Sequence, residues 1–157
     1  MSNSRPFSSI SFAALTDQGV CPTCYNRAHG YCLTGDESAQ TLFANDLFRC
    51  ILINDPRAIG HTVIVSEAHY QDMMDAPEEL CREMYAFARR AMRALRQVYG
   101  ARSVYLCTMC DGPMNHFHIQ LIPRYEDEPR GSRNFVRERK PYVHEPEKVE
   151  ALRALLH

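Results

Sequence analysis

At 157 residues, 45% of them hydrophobic, the chain is long enough to bury one domain core and too short for two ordinary domains. With 18 Lys and Arg against 19 Asp and Glu, the net charge is -1, which argues against a general nucleic-acid binder held by a strong positive field and leaves any phosphate recognition to a local site. The first twenty residues do not read as a secretory leader and no apolar run reaches membrane-spanning length, so the seven cysteines read as reduced thiols of a cytoplasmic protein, with metal binding where their spacing allows it.

Residues 1 to 20 are rich in Ser and Asn, and Phe7, Ile10 and Leu15 suffice at most for a short helix packed on the body. Cys21-Pro-Thr-Cys24 follows, then a polar stretch through Gly30, Gly35 and Asp36 that reads as loop. Thr41 to Ala44 and Leu47 to Ile53 alternate as two strands around an Asn45-Asp46 turn, and His61 to Ser66 has the β-branched density of a third. Asp75, three residues before Glu78, suits a capping box for a helix that runs to about Tyr99. Leu80, Met84, Phe87, Ala91, Leu95 and Val98 recur at three and four, giving a core face, while the arginines between them read as a solvated back. Gly100 stops the helix, Ser103 to Cys110 resumes a strand, and Asp111-Gly112-Pro113 turns it back on itself as an antiparallel pair. Beyond Arg124, residues Arg130, Arg133, Arg137 and Lys140 could reach a polyphosphate, but the acids interspersed with them make solvated loop the better reading, and Pro146 opens a short last helix with Val149, Leu152 and Leu156 inward.

Polar chemistry is written with a period of two in Asn115-His-Phe-His-Ile-Gln-Leu-Ile-Pro-Arg124. In a strand, His116, His118 and Gln120 share one face and Phe117, Ile119 and Leu121 the other. Two imidazoles and an amide opposite a purely apolar face ask for more polar partners than a core supplies. One chemistry open to them is a catalytic metal held by His116, His118 and a third ligand, with a position left for water. The other is nucleophilic attack at phosphorus by a neutral imidazole whose second nitrogen is pinned, and His118 is placed for it. Cys21 and Cys24 have zinc-ligand spacing, and His29 and Cys32 supply a local completion to four. Cys107 and Cys110 repeat the spacing, but residues three apart in a strand point to opposite faces, so these read as core thiols, as do Cys50 and Cys81.

The segment His116-Phe-His118-Ile-Gln120-Leu-Ile-Pro-Arg124 resembles the motif of the histidine-triad (HIT) superfamily, and Gly60-His61-Thr-Val-Ile-Val-Ser-Glu-Ala-His69 resembles the strand that precedes it there. The resemblance spans roughly Cys21 to Arg124. It implies an α+β protein with a HIT-like fold, an antiparallel meander sheet, one long helix and a short C-terminal helix. Residues 21–125 would form that domain, 1–20 an N-terminal extension, and 126–157 a C-terminal extension packed on or near the active site. The resemblance further implies a homodimer that binds a nucleotide or nucleotide sugar and attacks the α-phosphate through His118; the charge balance and the lack of a long apolar run leave membrane and nucleic-acid partners unexpected.

Gln120 stands where the triad has its third histidine, as in the branch containing galactose-1-phosphate uridylyltransferase and diadenosine tetraphosphate phosphorylases. An amide can hold a phosphoryl group but cannot shuttle a proton, which favours ionised acceptors and so nucleotidyl transfer or phosphorolysis. A HIT-type nucleotide or dinucleoside polyphosphate hydrolase is the alternative, and a nucleotide-binding module without catalysis a further one. Zinc-bearing members imply a structural Zn2+ on Cys21, Cys24, His69 and His116, with the local set of Cys21, Cys24, His29 and Cys32 still open. Asn115 and Arg124 are candidates for phosphate contact. Asn54 and Asp55 neighbour Ile53, which stands where the family usually carries an Asp or Asn for the ribose hydroxyls.

Overall fold

A computed structural model describes residues 11–30 and 40–157; Phe7, Ile10, Cys32, Gly35 and Asp36 lie outside them. Helix α1 (Phe12–Asp17) is capped by Ser11, whose Oγ accepts from the Ala14 N–H at 3.1 Å, and it buries Leu15. Helix α2 (Pro22–Ala28) replaces the loop expected after Cys21. The local cause is a Pro at the first helical position, where its missing N–H costs nothing, and a Cys21 Sγ that accepts from the Cys24 N–H.

Strands β1 (Thr41–Ala44), β2 (Phe48–Leu52) and β3 (Thr62–Ser66) follow as expected, each antiparallel to the next. Asn45 makes the first turn by accepting from the N–H groups of Leu47 and Phe48, both at 2.9 Å. The long helix α3 (Glu78–Tyr99) starts after Pro77 with no side-chain cap, so the capping box expected from Asp75 is not formed. Instead, Asp72 Oδ1 accepts from the Met74 N–H and the Asp72 carbonyl from the Asp75 N–H, which binds Asp75 into the preceding turn. At the other end Gly100 adopts the left-handed conformation, φ 71°, that a helix stop requires.

Strand β4 (Ser103–Cys107) ends three residues earlier than expected, and β5 (His118–Arg124) returns antiparallel beside it. The sheet order is β1-β2-β3-β5-β4: the first three strands form a meander and β5 takes the next place, between β3 and β4. A short 3-10 turn (Ser132–Phe135) precedes the C-terminal helix α4 (Pro146–Leu156). No helix among the described residues is long and apolar enough to cross a membrane.

One sheet face carries the core. Phe48, Cys50, Leu52, Ile64, Ile119 and Leu121 meet Met84, Phe87, Ala91 and Leu95 of α3 and Val149, Leu152 and Leu156 of α4. Burying a side chain of this size contributes about 1.5–3 kcal/mol, so this layer fixes the sheet. The other face, with Ile51, Val63, Val65 and His118, is left to line a cavity.

Candidate active site and metal centre

The central position of β5 gives its polar face neighbours on both sides. Val65 pairs with His118 and Val63 with Gln120 across the β3 ladder. A cavity of about 640 Å³ lies over this face, within the range of small-molecule sites. Ile51, Ile53, Val63 and Val65 form its apolar floor, and Phe12 of α1, Arg27 of α2, Asn54, Asp55 and Arg139 stand around it with His116 and His118.

His118 donates its Nδ1–H to the His116 carbonyl at 2.8 Å. That bond fixes the tautomer and leaves Nε2 as a lone pair on the cavity side, the state a nucleophilic imidazole needs. Gln120, on the same face, is buried and does not itself line the cavity. Its Oε1 lies 2.9 Å from His61 Nε2. The Arg57 backbone N–H donates to His61 Nδ1 at 3.2 Å, so the ring proton must sit on Nε2 and the amide must present its oxygen to it. The nitrogen is then the end of the amide left to hold another acceptor. His61, wholly buried, is a site residue that the strand pattern alone did not single out; the legible signal was its place at the head of β3, two residues ahead of the partner of Gln120. Burial drives its pKa down to about 4, the Gln120 contact opposes this, and the charges of Arg139 and Arg57 add to it while Asp55 subtracts.

His116 belongs to a second constellation. Its Nε2–H donates to the Ser66 carbonyl at 2.8 Å, which turns Nδ1 toward the thiols. Nδ1 lies 3.5 Å from both Cys21 Sγ and Cys24 Sγ and 3.3 Å from His69 Nδ1. The ligand atoms of these four residues all lie within 4.8 Å of one another, an arrangement that could hold a metal ion. Four donors about 2.0–2.3 Å from a tetrahedral zinc would sit roughly 3.3–3.8 Å apart, so the spacing fits. The donor set fits as well: burial and the adjoining Cys21 push the Cys24 thiol up to about 11, and a divalent cation would supply the charge that lets such thiols ionise. His29 does not join the cluster. It donates Nδ1–H to the Tyr25 carbonyl at 2.8 Å and stacks on the Tyr25 ring, while Cys32 lies outside the described residues.

Other candidates fall elsewhere. Arg124 is buried at the far end of β5, where Nε donates to Ser103 Oγ and one terminal nitrogen to the Tyr125 and Glu128 carbonyls, all at 3.1 Å; it does not reach the cavity. Asn115 donates Nδ2–H to the Gln71 carbonyl at 2.6 Å and closes the turn with its N–H on the Gly112 carbonyl. Asn54 and Asp55 do line the cavity. Cys50 is buried in the core, but Cys110 is exposed rather than a core thiol, because the strand has ended at Cys107. Arg139 was passed over in the sequence and stands in the wall of the cavity.

The sequence model of the HIT domain family matches residues 34–127, more than half of the chain. The chain belongs to the HIT family. This HIT protein is 26% identical over 98 residues to an adenylylsulfatase of Arabidopsis thaliana, a match that covers 60% of this chain and 50% of the relative, so the chain spans about half of that protein's length. A HIT-like protein of Saccharolobus solfataricus is 22% identical over 120 residues, 74% of this chain and 80% of its own. Among solved structures, a zinc-bound histidine triad family protein from Mycobacterium smegmatis superposes with a TM-score of 0.65 at 22% identity, over 87% of this chain and 92% of the other. That likeness extends to the fold.

Proposed function

We propose that this HIT protein is a nucleotide-binding enzyme of the galactose-1-phosphate uridylyltransferase and diadenosine tetraphosphate phosphorylase type, working by nucleotidyl transfer or phosphorolysis. The observation that carries the reading is the 2.8 Å bond from His118 Nδ1–H to the His116 carbonyl. It presents a lone pair at Nε2, and it places a carbonyl oxygen against the positive charge that the ring acquires when Nε2 bonds to phosphorus. In the first step the Nε2–P bond forms and the P–O bond to the leaving group breaks, the electron pair leaving with the oxygen. In the second, an oxygen of phosphate or a sugar phosphate attacks phosphorus and His118 departs neutral. Gln120, just behind the cavity wall with its carbonyl oxygen engaged by His61, would turn its N–H to a phosphoryl oxygen once substrate is seated against His118. Asn54 and Asp55, which line the cavity, would meet the ribose in this reading.

Cys21, Cys24, His69 and His116 hold a structural zinc in this reading. Two thiolates and two imidazoles close a tetrahedral site with no position for water, so the ion braces the lead-in to β5 rather than joining the chemistry. A homodimer and a cytoplasmic setting complete the proposal; a monomer mass by light scattering would remove the former.

The Arabidopsis adenylylsulfatase favours a second reading, hydrolysis of an adenylyl compound. The two part on the acceptor. Incubation with labelled nucleotides is expected to leave acid-labile label on the wild type and none on His118→Ala, and turnover is expected to need phosphate or a sugar phosphate. Label that survives His118→Ala would overturn covalent catalysis at this residue, and acceptor-independent turnover would select hydrolysis.

A further inference from the structure

Residues 137–144 run alongside 53–57. The Arg57 guanidinium donates to the Arg137 carbonyl, the Lys140 N–H to the Pro56 carbonyl at 3.4 Å, the Tyr142 N–H to the Asn54 carbonyl at 2.8 Å, and His144 Nε2–H to the Ile53 carbonyl at 2.7 Å. This C-terminal strap is thereby stitched to the rim of the cavity. Arg137 is turned away into an ion pair with Glu128 at 2.7 Å, while Arg139 faces the cavity.

Among the described residues that line the cavity, the cations are Arg27 and Arg139. Arg27 is held in place on one side: one terminal nitrogen donates to the Ser66 and Glu67 carbonyls at 3.0 and 2.8 Å and lies 3.6 Å from the Glu67 carboxylate, while the other is buried and has no partner among the described residues. Among the described residues Arg139 is held by a single 3.4 Å pair with Asp55, and both side chains are well exposed, 39% and 58%. Such a pair is worth little, and a phosphate that offers two oxygens to the guanidinium fork displaces it readily.

The chemistry of Gln120 asks for such a group. An amide delivers no proton, so a leaving group must depart as an anion, and a departing phosphate carries charge that a cation on the same face can meet. Resting on the proposed function, the geometry points to Arg139 as the residue that binds the phosphate beyond the one His118 attacks. The assignment adds a residue to the substrate class the proposed function already carries, nucleotides whose leaving group is itself a phosphate or phosphate ester. Arg139 acts here as a binding and specificity residue supplied by the C-terminal strap, and Asp55 holds it when no substrate is present.

Titration calorimetry of the full chain with adenosine and uridine 5′-mono- and diphosphates tests this. The readout is the ratio of the monophosphate to the diphosphate dissociation constant. For the wild type it is expected to be about 10 or more, the size of a charge-assisted hydrogen bond. Arg139→Ala brings the ratio to about 1, and Arg139→Lys, a point charge without the fork, leaves it in between. A ratio near 1 in the wild type with the monophosphate bound, or a high ratio that survives Arg139→Ala, would overturn the assignment and leave the proposed function standing. If neither mono- nor diphosphates bind the wild type, the proposed function itself falls.

Discussion

Arg57 donates its backbone N–H to His61 Nδ1, and that one bond determines how Gln120 is oriented. The ring is buried and neutral, its pKa lowered to about 4 by burial first, with Arg139 and Arg57 adding and the Gln120 contact and Asp55 opposing. In the unfolded chain a histidine titrates near 6.5. Between these values the unfolded state holds more protons than the folded one, so stability rises with pH. The contribution is fully present above about pH 6.5 and declines as pH falls toward 4, by about 3 kcal/mol in all. Replacing the ring by a group that does not titrate removes this slope. Denaturant unfolding of metal-loaded wild type and His61→Gln at pH 7 and pH 4.5 is expected to show the wild type losing about 2 kcal/mol more than the variant. Comparing two proteins with the same metal ligands cancels the acid sensitivity of the thiol and imidazole site. Equal losses would mean that His61 titrates in the folded protein as it does in the unfolded chain, and the buried neutral ring on which the Gln120 orientation rests would fall with it.

At the scale of elements, the entry to β3 depends on Gly60. Its φ is +89°, and a Cβ built there would lie 3.1 Å from the Tyr99 ring at the end of α3 and 3.2 Å from Pro123 of β5. Both the left-handed backbone and the contact with two packed rings oppose a side chain, at about 1–2 and 1–3 kcal/mol respectively. Gly60→Ala is expected to lower the melting point by roughly 5–10 °C, and a shift under one degree in a thermal scan would refute the packing described for this corner. The strands around it were legible because β-branched residues with a period of two write their burial into the sequence, and Asn45 and Pro146 mark their turn and helix start locally. Helix α2 escaped because seven mostly polar residues carry no periodicity, although Pro22 and the capping Cys21 were there to be read. The helix start at Pro77 was misplaced by Asp75, which the turn had already engaged. Within the site, the division of His116 from His118 followed from motif resemblance. The place of Arg139 followed from nothing local, since it is set by backbone bonds between segments about 85 positions apart that leave no pattern in either. Arg124 misled for the converse reason: its neighbourhood in the chain suggested the site, but β5 carries it to the far end, where three oxygens claim it.

Across the whole molecule the four candidate ligands join three parts that the hydrophobic core does not hold as firmly: α2 with Cys21 and Cys24, the exposed His69 after β3, and the lead-in to β5 at His116. The core itself, built on α3, α4 and the sheet, includes none of them. A metal at this site would therefore act as a cross-link between Cys21 and His116, 95 positions apart, and closing a loop of that length stabilises by about 5 kcal/mol through the entropy of the unfolded chain. If the proposed zinc is bound, removing it with a tight chelator under reducing conditions is expected to lower the melting point by on the order of 10 °C without abolishing cooperative unfolding, because the core remains. Amide exchange should then rise in residues 21–30, 66–70 and 116–118 and stay slow in α3 and β2. Cys24→Ala should reproduce the chelated protein and bind no zinc, whereas His118→Ala should keep one equivalent, its ring being tied to a carbonyl and turned to the cavity. Zinc lost with His118→Ala but retained with Cys24→Ala would transfer the metal to the catalytic row and reverse the assignment of the two histidines, with His116 and His118 then sharing one ion.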